Sequence, residues 1–308
     1  MEKVKILLTG GTGFLGSAIL LNLKNIENVS ILAVKRKHSN ISRFKDIQEI
    51  QWIDLDEEGR HIEKWVDFKP TIIIHSAWAG VTSGERELWN VQLQNFELFR
   101  NLTNLAEIVK IDKFIALGSQ SEYGNYTTSV TENADVVSHD AYASCKIAMK
   151  SLLETFCTRK NIDWYWLRVF SVYGPGENEN WFIPWIISKQ LRNEDVALTG
   201  CEQAYDYLYI DDFAKMIEHI VFSKNKNQGV YNICSGYSLP LKEIALKIRE
   251  IIGTNAKLNF GAIPYRENQS MFLGGNNLKF KRVFGVIPNL PLELGLEKTI
   301  NYYRTRLL

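Results

Sequence analysis

Several short stretches of this chain carry residue types at spacings that could do chemistry. In Tyr142-Ala143-Ser144-Cys145-Lys146 a phenol and an ammonium stand four residues apart. On a helix that spacing puts both groups on one face. An ammonium beside a phenol favours phenolate and pulls down a pKa that starts near ~10, which makes a tyrosine a usable acid or base near neutrality. Gly118-Ser119-Gln120-Ser121-Glu122-Tyr123-Gly124 gathers hydroxyls and a carboxylate behind an apolar run, a composition that packing does not explain. Leu8-Thr9-Gly10-Gly11-Thr12-Gly13-Phe14-Leu15-Gly16 supplies a different chemistry. Glycines 10, 13 and 16 let backbone N–H groups approach a pyrophosphate, and a helix starting there aims its partly positive N-terminus at the same anion. The first two glycines are one residue further apart than in the usual dinucleotide fingerprint. A tight glycine turn is the plain alternative.

The stretch Val34-Lys35-Arg36-Lys37 bears on which dinucleotide is held. A fold that prefers NAD places Asp or Glu at the end of its second strand, where it accepts hydrogen bonds from the adenosine ribose. Here there is no acid, and Arg36 can grip a 2′-phosphate bidentately. The expectation is NADP(H), with NAD(H) possible and a solvated basic loop as the competing account. Asp54, followed by Leu55, stands where a carboxylate could accept from an adenine amino group or cap a turn. After His75, the small Ser76 and Ala77 imply close backbone approach to a cofactor, whereas His75 itself reads as a packed residue. Trp78, Trp181, Phe182 and Trp185 could line a pocket or belong to the core.

These residues need a scaffold. Val4 to Leu8 reads as a buried strand, and Phe14 to Leu23 as a helix, so the glycines sit in a strand-to-helix turn. Strands follow at Ser30 to Val34, Ile50 to Ile53, Thr71 to His75, Lys113 to Leu117 and Trp164 to Phe170. A long helix is expected from Gly84 to Lys110, and another from Asp140 to Arg159. Strands alternating with helices imply a doubly wound parallel sheet. Beyond Tyr173-Gly174-Pro175-Gly176 the pattern breaks, and an irregular aromatic stretch runs through Trp185. Strands at Tyr207 to Ile210 and Val230 to Ile233 flank a helix from Asp212 to Phe222. Helices near Leu241 to Ile252 and Leu292 to Arg304 follow. No linker is evident, so residues 1–170 are expected to form a dinucleotide-binding domain to which 205–235 return, and 171–308 mainly a substrate-binding domain.

At 308 residues the chain can bury a large core. With 36 basic and 35 acidic side chains the net charge is +1, no footprint for nucleic acid or an anionic membrane, so an anionic ligand must be held by local groups. The four cysteines, Cys145, Cys157, Cys201 and Cys234, lack metal-ligand spacing and are expected as reduced, mostly buried thiols in a cytoplasmic protein. No metal site is expected. Met1-Glu2-Lys3 leads straight into the first strand, so neither a signal peptide nor a membrane span is expected.

Taken in order, the glycine turn, the Ser119 to Gly124 stretch, Tyr142-x-x-x-Lys146 and Leu167-Arg168-Val169-Phe170-Ser171-Val172-Tyr173-Gly174-Pro175-Gly176 resemble the extended short-chain dehydrogenase/reductase superfamily, and within it the nucleotide-sugar epimerases, dehydratases and reductases. The likeness reaches Tyr207-Leu208-Tyr209-Ile210-Asp211-Asp212 and Tyr231-Asn232-Ile233-Cys234-Ser235-Gly236. It implies a Rossmann-type sheet with a smaller mixed α/β substrate-binding domain. It implies that Gly10, Gly13, Phe14, Leu15 and Gly16 form the pyrophosphate turn and that Tyr142 exchanges a proton with a sugar oxygen. Lys146 would hold the nicotinamide ribose and depress the tyrosine pKa. Ser119 matches the catalytic Ser or Thr, with Ser121 its nearest competitor, and Asn90 matches an Asn close to the cofactor.

The chain also departs from the resemblance. The 4,6-dehydratases carry an acid at the second or third position of Ser119-Gln120-Ser121, as protonating a leaving hydroxyl requires. Gln120 and Ser121 cannot do this, and Glu122 stands one place late. Tyr205 occupies the place of a diphosphate-binding Arg, for which Arg266 could substitute, and Ser171 stands where Asn is common. The implied function is NADP(H)-dependent reduction of a nucleotide-linked 4-keto-6-deoxy sugar, with a 4-epimerase using tightly bound NAD as the alternative. The resemblance also implies a homodimer through a four-helix bundle. Leu98, Leu102, Leu105, Met149 and Leu153 are candidates for its seam unless they face their own sheet.

Overall fold

The computed structural model describes residues 3–44, 50–55, 59–82, 84–267, 269–286, 288 and 290–307. Strands and helices alternate as β1 (Val4–Thr9), α1 (Phe14–Leu23), β2 (Val29–Arg36), β3 (Gln51–Leu55), α2 (Arg60–Phe68), β4 (Ile72–His75), α3 (Trp89–Ile108), β5 (Lys113–Ser119), α4 (Ala141–Lys160) and β6 (Asp163–Val169). The chain continues through β7 (Ser171–Tyr173), α5 (Phe182–Leu191), β8 (Val196–Ala197), β9 (Ala204–Tyr209), α6 (Ile210–Phe222) and β10 (Gly229–Ile233). It ends with β11 (Ser238–Pro240), α7 (Leu241–Ile252), β12 (Leu258–Asn259), β13 (Phe272–Leu273), α8 (Leu278–Phe284) and α9 (Leu292–Leu307). Two compact units result. The first comprises Met1–Gly124, Asp135–Arg168 and Ala214–Tyr231, and the second Asn125–Ala134, Val169–Phe213 and Asn232–Leu308.

The first unit is built on a seven-stranded sheet of order β10-β6-β5-β4-β1-β2-β3. β1 pairs in parallel with β2 on one side and β4 on the other, and β2–β3 and β4–β5 are parallel too. This is the Rossmann order, in which the winding reverses between β1 and β4 and opens a crevice at their carboxyl ends. Ile72, Ile73 and Ile74 are buried, as a central strand covered on both faces requires. Helices α3 and α4 cover the sheet with Phe99, Leu102, Leu105, Met149 and Leu153, packed with Trp65 of α2 and Phe114 of β5. Burying each leucine stabilises by about 2 kcal/mol. Asp140 caps α4 by accepting from the Ala143 N–H, and Asn161 closes it in a left-handed conformation at φ 55°. The buried Lys113 donates its ammonium to Ile220 O at 3.0 Å and Val221 O at 2.8 Å, which satisfies the C-terminal carbonyls of α6.

The second unit centres on β9, with β7 and β13 parallel to it and β11 antiparallel, while β12 and β8 form a separate parallel pair. The buried Asp206 carboxylate accepts from Ser235 N and Gly236 N, both at 2.8 Å, and ties β9 to the turn after β10.

Three findings revise the expected elements. A helix, α2, lies between β3 and β4, with Ile62, Trp65 and Val66 inward. Residues 84–88 form turns, not helix, because Leu88 is extended at ψ 96° and α3 starts only at Trp89. The aromatic stretch ending at Trp185 enters α5, where Pro184 is tolerated because first-turn N–H groups have no intrahelical acceptor. All four cysteines are buried free thiols. Among the described residues no helix is long and apolar enough to cross a membrane.

Candidate active site

The glycine turn occupies the crevice between β1 and β4. Gly10 has φ +73°, and a Cβ there would stand 2.6 Å from Ala77 N; one on Gly16 would stand 2.1 Å from Gly10 O. These two glycines serve the packing of backbone on backbone. Gly13 differs, since its nearest such neighbour, Gly10 O, is 3.3 Å away. It is the N-cap of α1, extended at φ −74°, and no side chain caps the helix. The Ser17 hydroxyl turns instead to Phe14 O at 2.8 Å. The first-turn N–H groups of Phe14, Leu15 and Gly16 therefore have no side-chain cap beside the exposed Gly13, which fits a pyrophosphate. Across the turn, Ser76 N donates to Thr9 O and Ala77 N to the Thr9 hydroxyl, each at 3.3 Å, so both residues lie against β1.

The edge of β2 is less basic than its sequence. The β2–β3 register sets Lys35 beside Asp54 and Arg36 beside Leu55. The Lys35 ammonium pairs with the Asp54 carboxylate. An acid therefore does reach this edge, from the neighbouring strand, and Asp54 is engaged by a cation. Arg36 is exposed at the strand end.

Ser119, Tyr142 and Lys146 converge at the end of β5. All three are buried, and the Ser119 side chain acts on the Tyr142 phenol, favouring its ionised form. Lys146 donates to Leu117 O at 2.6 Å and lies 3.6 Å from the Trp78 ring centroid, but 5.8 Å from that of Tyr142. Burial draws the Lys146 ammonium down to about 7; Glu122 opposes that shift and Arg86 adds to it. The expectation that Lys146 depresses the tyrosine is corrected here. Burial raises the Tyr142 phenol above its usual value, and the cation opposing that rise is Arg86, whose guanidinium lies 4.7 Å from the ring centroid.

The turn after β5 is locked from beneath. Ser119 Oγ accepts from Ser121 N at 3.1 Å while Glu122 Oε1 accepts from Ser119 N at 2.8 Å, a reciprocal capping box. The fully buried Glu122 also accepts from Trp166 Nε1 at 2.9 Å and pairs with Arg168 Nε at 2.9 Å. Gly118 makes room for this arrangement, since a Cβ there would lie 2.2 Å from Trp166 Nε1. Glu122 thus positions Ser119 and is occupied as a charge.

Asn90 is exposed at the start of α3, and the buried amides of that helix are Gln92 and Asn95. Gln92 holds Trp78 Nε1 at 2.8 Å and Gly80 O at 2.8 Å, while Asn95 accepts from Ala79 N at 2.7 Å. The two clamp the segment that presents Trp78 to Lys146. They stand three apart on the buried stripe that continues with Phe99 and Leu102, the one signal by which the sequence could have marked them. Ser121 borders Ser119 in the first unit. In the second, Ser171 is half-buried on β7, and the exposed Arg266 acts electrostatically on the half-buried Tyr205 phenol.

A family model described as the NAD dependent epimerase/dehydratase family matches residues 6–234, which include the glycine turn, the strand-end hydroxyls and the Tyr-Lys pair. The chain belongs to that family. A CDP-abequose synthase of Salmonella typhimurium is 23% identical over 305 residues, covering 97% of this chain and 98% of the relative. Among solved structures, the fold is similar to a UDP-glucose 4-epimerase of Thermotoga maritima in complex with UDP-glucose, at TM-score 0.90 and 22% identity over 99% of this chain and 100% of that one. It is also similar to a UDP-glucuronic acid 4-epimerase of Bacillus cereus in complex with UDP-glucuronic acid and NAD, at TM-score 0.86 and 22% identity over 98% and 100%.

Proposed function

We propose that this family member reduces a nucleotide-linked 4-keto-6-deoxy sugar. When bound over Gly13 and α1, a nicotinamide dinucleotide supplies the hydride. Tyr142 gives its proton to the keto oxygen, Ser119 holds that oxygen by a hydrogen bond, and Lys146 binds the nicotinamide ribose. The observation that carries the choice is the turn after β5. Dehydration needs an acid at position 120 or 121, which here are Gln and Ser, and the neighbouring Glu122 is buried in its pair with Arg168. The relative named for CDP-abequose supports a nucleotide-linked sugar as the substrate class. Ser121, Ser171 and Arg266 are proposed to contact it, with the second unit as the substrate-binding domain.

The dinucleotide is chosen where β2 ends. The exposed Arg36 supports NADP(H), whereas Asp54 beside Lys35 and the NAD of the Bacillus cereus structure support NAD(H). A 4-epimerase is the second reading, favoured by the solved structures of similar fold. Purified protein mixed with a 4-keto-6-deoxy sugar nucleotide is expected to oxidise added NADPH, and Tyr142→Phe to abolish turnover while still binding the dinucleotide. No oxidation of NADPH or NADH, with interconversion of 4-epimers and no cofactor added, would establish the epimerase instead.

A further inference from the structure

We propose that Arg86 is a positioning residue that sets the proton affinity of Tyr142. Arg86 sits in the turn before α3, and two contacts fix it, one to the first turn of α4 and one to Val81. Its backbone carbonyl accepts from Tyr142 N at 3.0 Å, and its Nε donates to Val81 O at 3.1 Å. The turn itself is closed by Arg86 N donating to Thr82 O at 3.1 Å and Leu88 N to Glu85 O at 3.1 Å. The guanidinium is thereby held over the phenol ring, with Cζ 4.7 Å from its centroid. A guanidinium is always charged and stacks on aromatic faces, so it stabilises the phenolate without titrating itself.

Other groups acting on the phenol are accounted for. Ser119 favours the phenolate, while the carboxylates of Glu122, beneath the strand end, and Asp140, at the α4 N-cap, disfavour it. Glu122 is neutralised in place by Arg168. Lys146, one turn on along α4, donates a hydrogen bond to Leu117 O and lies over the face of Trp78. His75, also buried at the site, is neutral. Arg86 is thus the permanent cation stacked on this ring. Lys146 bonds to backbone 5.8 Å from the ring centroid, and Arg86, from a separate turn, adds a second cation over the phenol.

The inference rests on Tyr142 as the acid, yet it can be tested without the sugar substrate. Alkaline titration of the whole protein at the phenolate absorbance, subtracting the same titration of the corresponding Tyr142→Phe variant, isolates Tyr142. Arg86→Met is expected to raise its midpoint by about one pH unit, and Arg86→Lys to keep it within a few tenths of the parent. Unchanged far-ultraviolet circular dichroism and dinucleotide affinity in both variants separate charge from folding. A midpoint that Arg86→Met leaves in place, or that moves as far in Arg86→Lys, overturns the inference. Turnover surviving in Tyr142→Phe would instead overturn the catalytic reading and leave the titration result standing.

Discussion

His75 shows how one buried side chain makes the fold sensitive to acid. It lies at the end of β4 with Nδ1 2.8 Å from the Thr9 hydroxyl. Burial, with help from Lys146, pulls its pKa from 6.5 to about 3. Between those values the unfolded chain takes up a proton that the folded chain refuses, so the stability due to neutral His75 is complete above about pH 6.5 and is lost as the pH falls. Urea unfolding of the parent is expected to weaken by up to about 1.4 kcal/mol per pH unit below pH 6.5, and His75→Gln to flatten that dependence. Equal slopes would assign the acid sensitivity to other groups. At this scale the sequence was readable where reactive types recur at a fixed spacing. Tyr142 and Lys146 share a helix face, and Ser119 ends a strand. Arg86 was not readable, because nothing local ties residue 86 to residue 142; only the folded turn brings them together. The pairing of Lys35 with Asp54 was hidden likewise, since it depends on strand register.

Among the elements, β1, α1 and α7 are legible almost residue for residue, because apolar periodicity and a turn or glycine mark both ends. α2 is short, and its first turn follows a left-handed Gly59, so its three inward residues are a weak signal. α5 is obscured by a proline that its first turn can accommodate. The outward faces of α3 and α4 correct the expected dimer seam. Leu102, Leu105, Met149 and Leu153 are fully buried in their own unit, and Leu98 is partly buried against the same cluster. Besides Ile108, the last residue of α3, the large apolar residues of the two helices left in solvent are Trp89 and Leu93, four apart on α3, and Leu152 on α4. If a homodimer forms through these helices, as we propose, those three residues make its seam. Sedimentation is expected to show a dimer for the parent and a monomer for the Leu93→Asp/Leu152→Asp variant, and a monomeric parent would remove the proposal. Large apolar side chains lying outward on adjacent helices are what such an interface buries.

For the molecule as a whole, the alternation of strands and helices was enough to predict a doubly wound sheet, and the observed order with its reversal between β1 and β4 agrees. The small strands of the second unit were not readable. Strands of two or three residues, such as β8, β12 and β13, are defined by pairing with distant segments and carry no periodicity of their own. The bare N-terminus of α1 has a thermodynamic corollary. Its first-turn N–H groups have no side-chain cap, so an anion that docks there binds the native chain and not the unfolded one. Mass action then makes the melting temperature a gauge of occupancy, with about 2.7 kcal/mol gained when free dinucleotide stands at a hundred times its dissociation constant. Melting curves with NADPH, NADP⁺, NADH and NAD⁺ are expected to rank the four by affinity, and a larger rise with the phosphorylated pair would identify Arg36 as the discriminating group. The protein would then behave as its own calorimeter, with the ligand it is built around disclosed by the heat it withstands.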